Sequence, residues 1–272
     1  MIPSVPFVLG PFRMLLSHRD GFLFVHIAKT GGTSIRAALR QGQWRDSTAW
    51  ATWLGSRLSE LTGHCSGTKI PRHAPAVVCR EMLPPHVYQR LYRFAFVRNP
   101  WDRLVSAYSH FQRERQDILT AHRLADFPRF VQFILEADLD TVTRGTLIQA
   151  IQRPQLESVV GLRGELIVNF VGRYERLDSD FADVCQRLHL NHVRLPHKRR
   201  SDRPRDYRTH YDDQLAERVA SHYADDLAAF GYQFSSEKLA TSELDVSFKA
   251  RVHARVRPAA WLATASSQER VG

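Results

Sequence analysis

Strand-length apolar runs alternate with helical stripes over most of this chain. Phe22 to Ile27 is a short apolar run suited to a buried strand, and Lys29 to Gly32 follow as a tight turn headed by a cation. Thr33 and Ser34 open a helical pattern that Ile35, Ala38 and Leu39 continue. The same grammar returns at Tyr92 to Val97, a second apolar and aromatic strand. Its exit reads Arg98-Asn99-Pro100-Trp101-Asp102. Asn99 suits an N-cap, Pro100 the first helical position and Asp102 the first turn, and Leu104, Tyr108 and Phe111 carry the helix onward. Between the two units, Pro71 to Pro75 reads as a loop holding Arg72 and His73. A short helix through Val77, Val78 and Met82 follows and ends at Pro84-Pro85.

Further along, Phe127, Phe130, Val131, Ile134 and Leu135 mark an amphipathic helix, and Glu165 to Phe170 a third strand. Phe181, Val184, Cys185 and Leu188 predict a helix capped near Asp178 or Ser179. A long helix is expected from about Asp212 to Phe230, with Leu215, Val219, Tyr223 and Phe230 inward and Gly231 as its stop. Apolar strands alternating with helices predict an α/β fold, a three-layer α/β/α arrangement around a mainly parallel central sheet. The expected division is a lead-in over 1–20, one domain over 21–235 and an extension over 236–272. Residues 42–71 read as an excursion from the core. In the extension, Val246, Phe248, Ala250, Val252, Ala254 and Val256 alternate with Ser247, Lys249, Arg251, His253, Arg255 and Arg257, which fits a basic-faced edge strand or an unstructured tail.

Composition narrows the class. Hydrophobic residues are 43% and charged residues 24% of the 272, enough for a sizeable core. The formal net charge of +10 suits anionic partners. Three cysteines in sparse positions predict no disulfide framework and a reducing compartment. His64, Cys65, His73 and Cys79 lie near one another in sequence but without zinc-ligand spacing, so no metal is expected. No apolar stretch approaches membrane-spanning length, and the chain is expected to be soluble.

The candidate chemistry sits at the two strand exits. Glycines that let backbone N–H groups approach, a helix N-terminus and the Lys29 charge together make an anion cradle of Lys29, Thr30, Gly31, Gly32, Thr33 and Ser34. It departs from the pattern GxxxxGK[ST], because Lys29 precedes the glycines, and this counts against ATP or GTP hydrolysis. Arg98 at the second exit can hold a phosphate bidentately, and Ser106, two turns into the helix, can offer a hydroxyl to the same anion. Two such sites suit a nucleotide with phosphates at both ends.

His26-Ile27-Ala28-Lys29-Thr30-Gly31-Gly32-Thr33-Ser34 and Phe94-Ala95-Phe96-Val97-Arg98-Asn99-Pro100-Trp101-Asp102-Arg103-Leu104-Val105-Ser106-Ala107-Tyr108 resemble the two cofactor motifs of sulfotransferases dependent on 3′-phosphoadenosine 5′-phosphosulfate (PAPS). The resemblance is to the Golgi-type carbohydrate O-sulfotransferases and their bacterial homologues. It extends through Arg72-His73-Ala74, Phe170 to Leu177, Leu195-Pro196-His197 and Tyr223 to Tyr232, about 22 to 234 in all. It implies a core related to nucleotide kinases, PAPS as donor with PAP as product, and an acceptor hydroxyl or amine, here expected to be a hydroxyl of a carbohydrate. The cradle from Lys29 to Ser34 would hold the 5′-phosphosulfate, and Arg98 with Ser106 the 3′-phosphate.

In-line sulfuryl transfer needs positioning, charge stabilisation and a base. Lys29 suits the departing phosphate oxygen, and no metal is required. His73 is the first choice of base, at a place similar to the catalytic histidine of uronosyl-type relatives; His64, His197 and Glu175 compete. His26 is expected to pack, and Glu175 to orient Lys29 or a helix terminus. The basic loop Leu195 to Tyr207 reads either as a solvated surface or as a lid. Two rival functions remain at this point: a nucleotide-dependent phosphotransferase, and a non-catalytic binder of anionic polymer. A nucleic-acid partner is not expected, since no recognition signature stands out. A bacterial cytoplasmic enzyme is the expected setting, or the Golgi lumen if an anchor has been removed.

Overall fold

The computed structural model describes residues 14–43, 70–138, 147–196 and 206–235. The expectations for 44–69, for His197 to Arg205 and for the alternating stretch after Val246 lie outside those residues. Four strands form one sheet in the order β1 (Leu15–Ser17), β2 (Phe22–Val25), β3 (Tyr92–Val97) and β4 (Phe170–Arg173). β1 pairs antiparallel with β2, whereas β2, β3 and β4 run parallel, with Phe24 opposite Phe94 and Phe94 opposite Phe170. β1 comes from the stretch read as a lead-in: Leu15 and Ser17 are buried against the sheet, and Gly21, at φ 64°, makes the turn that reverses the chain into β2.

Alternate strand residues face opposite layers. Phe22, Phe24, Phe94 and Phe96 pack on α1 (Gly32–Gln43) through Ile35 and Leu39, and on α8 (Leu177–Arg187) through Phe181 and Val184. Leu23 turns the other way, onto Val77, Val78 and Cys79 of α2 (Ala76–Met82) and Tyr88 of α3 (Pro85–Arg90). Val25, Ala95 and Val97 meet Phe230 of α10 (Ala224–Phe230) and Leu156 of the short 3-10 turn Leu156–Ser158. The three layers expected from the alternation are therefore present. Beyond the end of β3, α4 (Pro100–Glu114) packs with α6 (Phe127–Glu136), α7 (Leu147–Gln152) and α9 (Asp213–His222) in a separate helical cluster around Phe111, Phe130, Ile151 and Val219. A one-and-a-half-turn helix, α5 (Gln116–Ala121), links α4 to that cluster.

Three elements differ from the sequence expectation in position or continuity. Glu165 to Val168 does not open the third strand; Ile167 bonds back to Val159, and the chain meets β3 where Asn169 N donates to Arg93 O, with the paired strand running from Phe170. Gly172 permits that contact, since a Cβ there would stand 2.4 Å from the Phe96 ring. The long helix expected over 212–230 breaks at Tyr223, whose hydroxyl is anchored at 2.9 Å to the Ile151 carbonyl. Pro84-Pro85 ends α2 as expected, but Pro85 also starts α3, where its missing N–H costs nothing. Gly231, at φ 64°, stops α10 by donating its N–H to Leu227 O.

Candidate functional site

Because β2 and β3 are parallel neighbours, their carboxyl ends lie side by side, and so do the segments that leave them. After β2 the chain turns through Lys29 at φ 68° and Gly31 at φ 82° into α1, whose first turn is closed by Ser34 and Ile35 N–H groups on Gly31 O. Gly31 must be small for a second reason: Tyr174 and Leu177 pack against it, and a Cβ would stand 2.9 Å from Leu177. Gly32 has no room either, since its Cβ would overlap the His26 imidazole at 2.0 Å. Thr30 is fully buried and spends its hydroxyl on Ile27 O at 3.0 Å, so only its backbone remains to meet a ligand. Thr33 is exposed and Ser34 half-buried at the helix entrance.

The second exit is tied to the first. Arg98 Nη1 donates to Lys29 O at 3.2 Å, and its guanidinium lies 3.8 Å above the Tyr174 ring that also packs on Gly31. Arg98 Nε donates to Asp102 at 2.7 Å, and Nη2 pairs with the same carboxylate oxygen at 2.6 Å. Asp102 and Ser106, four residues apart, share one face of α4, and Arg98, just ahead of its Asn99 cap, reaches Asp102. Asn99 caps α4 by accepting from Trp101 N, while its own N–H donates to Glu175 Oε1 at 2.7 Å. Glu175 thus serves a helix terminus, one of the two roles expected of it, and Tyr232 OH binds its other oxygen.

His73 Nδ1 lies 2.9 Å from the His26 carbonyl. A carbonyl only accepts, so Nδ1 carries the hydrogen and Nε2 the lone pair. The two imidazoles contact each other with centroids 4.8 Å apart, and His26 also stacks on Phe24. Burial, then Arg72, Arg36 and Arg103, hold His73 down to about 4, against the opposing pull of its hydrogen bond. Burial and the same cationic neighbourhood keep His26 well below its ordinary value. Both rings are therefore neutral at physiological pH.

His26 and His73 line an open cleft together with Gln149, Arg153, Glu157 and Ser158. Burial lifts Glu157 to about 7, with Arg153 pulling against it. The sequence reading did not single out Glu157, which carries no motif. Three other residues it passed over hold the site in place. Arg103, fully buried, donates to Ala28 O, Ala150 O and Arg153 O. Gln155 exchanges two bonds with the Arg98 backbone and leans on Asp226, which also accepts from Gln155 N and Leu156 N. A signal existed for two of them: Arg103 shares the Ala107 and Phe111 stripe, and Asp226 the Val219, Tyr223 and Phe230 stripe, where a charge is out of place unless it is paired.

Residues 12–233 match the model of the sulfotransferase family, more than three quarters of the chain. The chain belongs to the sulfotransferase family. As a sulfotransferase-family member it is a transferase of sulfuryl groups, built on a P-loop-like fold, and proteins of this family generally take PAPS as donor. The chain is also similar to an uncharacterised protein of Archaeoglobus fulgidus, 26% identical over 117 residues that cover 43% of this chain and 82% of that one. No solved structure matches it. In this sulfotransferase no helix among the described residues is long and apolar enough to cross a membrane. No group of three His, Cys, Asp or Glu among the described residues is placed to hold a metal; His64 and Cys65 lie outside them.

Proposed function

We propose that this sulfotransferase moves the sulfuryl group of PAPS to a hydroxyl of a carbohydrate, with neutral His73 as the base. The observation that carries the reading is the linkage of two anion-binding strand exits, through Arg98 and Lys29, beside a histidine whose tautomer leaves a lone pair on Nε2. The donor supplies an activated sulfuryl group and leaves as PAP. Its phosphates fit groups the chain itself provides: the N–H groups and Lys29 of the turn at one end, and at the other the Arg98 guanidinium, which is held by Asp102.

His73 takes the proton of the acceptor hydroxyl on Nε2 as that oxygen bonds to sulfur, while the His26 carbonyl steadies the imidazolium that forms. Lys29 offsets the charge that appears on the departing phosphate oxygen. The positive φ of Lys29 sets its backbone at the head of the turn. Burial, with Arg72 and Arg36 adding to it, holds His73 in its neutral, proton-accepting form before the anionic donor arrives.

Calorimetry with PAP, ATP and adenosine 5′-phosphosulfate tests the donor. PAP is expected to bind at least as tightly as ATP, and Arg98→Ala to weaken PAP at least tenfold while changing adenosine 5′-phosphosulfate, which lacks the 3′-phosphate, less than threefold. An ATP preference, or equal losses, would overturn the donor reading. A labelled-PAPS transfer assay against glycans, lipids and phenols tests the acceptor.

A further inference from the structure

The cleft beside His73 contains two polar side chains that the transfer chemistry leaves unused. From Gln155 to Val160 the chain alternates in pairs: Gln155 and Leu156 are buried, Glu157 and Ser158 half-buried, Val159 and Val160 buried. Leu156, Val159 and Val160 pack beneath the sheet with Val25, Ala95 and Val97. Of this stretch only Glu157 and Ser158 reach the cleft, which His26 and His73 also line.

The backbone that carries the pair is firmly held. Asp226 accepts from Gln155 N and Leu156 N, Ser158 N donates to Gln155 O, and Val159 N donates to Leu156 O. Gln155 also exchanges two bonds with the Arg98 backbone, so Glu157 is kept in register with the strand exit assigned to the donor. A side chain set on such a frame can fix a substrate's orientation.

Among the described residues, neither the Glu157 carboxyl nor the Ser158 hydroxyl has a hydrogen-bond partner. A partly buried carboxyl left in this way is costly until a ligand supplies a donor. The rest of the lining includes Ile27, Ala28, Pro75 and Ala150. Apolar walls with a few convergent oxygens suit a ring that has C–H faces and hydroxyl edges. An anionic group on that ring would be set against Glu157 and its acidic neighbours Asp226 and Asp225. An ammonium would meet Arg72, Arg36 and Arg103, whose fields reach His73. A neutral hydroxyl meets neither obstacle, and the carboxyl keeps an acceptor oxygen for it in either protonation state.

We propose that Glu157, with Ser158 beside it, binds a second, non-reacting hydroxyl of a neutral sugar ring and thereby selects the acceptor. The proposal rests on the transfer reading above and adds what the acceptor must carry besides the hydroxyl that is sulfated. A ring held only at His73 could swing about that contact; a second contact at Glu157 sets the reacting oxygen in line with sulfur.

The test uses the full chain with the methyl glycosides of glucose, galactose and mannose and their monodeoxy analogues. Transfer from labelled PAPS gives kcat and KM, and saturation-transfer NMR on the PAP-saturated chain reads binding. On the wild type, one deoxy analogue that keeps the sulfated hydroxyl is expected to lose at least tenfold in kcat/KM, the scale of a hydrogen bond to a charged group. Glu157→Ala is expected to raise the acceptor KM at least tenfold, to leave the KM for PAPS within twofold, and to treat the parent and that analogue alike. Glu157→Gln keeps a carbonyl acceptor and should restore part of the discrimination, which a loss through misfolding would not. Full discrimination in Glu157→Ala, or no glycoside bound by the wild type, would overturn the inference. Binding that depends on Glu157 without any transfer would support the subsite and overturn the transfer reading; transfer indifferent to Glu157 would do the reverse.

Discussion

His73 is held by one bond that settles which of its nitrogens can act. The His26 carbonyl takes the Nδ1 hydrogen, and Nε2 is left as an acceptor. We expect His73→Gln to lower transfer by roughly 10²–10⁴-fold, the usual contribution of a general base, with PAP binding within twofold by calorimetry. Because its native value is about 4 against an ordinary 6.5, His73 stabilises the fold fully above pH 6.5 and loses that contribution as pH falls from 6.5 toward 4. Glu157 runs the other way. Its native value near 7, against 4.5, leaves its stabilising contribution intact below pH 4.5 and removes it as pH rises through 7. Glu157→Gln should therefore raise the melting temperature relative to wild type more at pH 8 than at pH 4; an equal shift at both would mean the carboxyl does not titrate as described.

At the scale of elements, the two strand–turn–helix units were legible because each combines signals that agree: an apolar strand, a turn residue that only certain side chains tolerate, and a helix start. The Asn99 cap, Pro100 at N1 and the Gly231 stop came through for the same reason, being local chemistry. The placement of β4 did not, because Glu165 to Asn169 is nearly as apolar as the strand itself, and its pairing is decided by the small Gly172 beneath Phe96, a contact between distant segments. The break at Tyr223 depends likewise on a hydroxyl reaching Ile151. Of the candidate site, the sequence shows the turn at Lys29 and the Arg98 exit as local patterns; the Gln155 and Asp226 support and the cluster of Arg36 with Arg72 arise only from folding. Two tests belong here. Gly32→Ala should destabilise by roughly 1–3 kcal/mol through overpacking on His26, and by less in a His26→Ala background, read from denaturant midpoints. Asp226→Ala leaves the Gln155 and Leu156 amides unpaired and should cost roughly 2–6 kcal/mol, at about 1–3 for each buried donor.

Over the whole molecule, a +10 formal charge surrounds a site that gathers Lys29, Arg36, Arg72 and Arg98 near two neutral histidines. Anionic substrates are drawn toward such a surface, and salt screens the attraction over about 8–10 Å near physiological strength. Apparent PAP affinity should fall as sodium chloride rises from 50 to 500 mM, and most of that fall should persist in variants of exposed basic residues distant from the cleft, if the local cluster rather than the net charge is responsible. The side chain of Arg103 gives this arrangement a kinetic consequence. One guanidinium grips Ala28 beside the cradle and Ala150 and Arg153 in the lining of the cleft. On the proposed placement of donor and acceptor, the two would bind surfaces held by one side chain, and occupancy of one is expected to alter affinity for the other in two-substrate steady-state plots. Loosening that grip with Arg103→Lys would uncouple them, leaving an enzyme that still recognises each partner but no longer senses both at once.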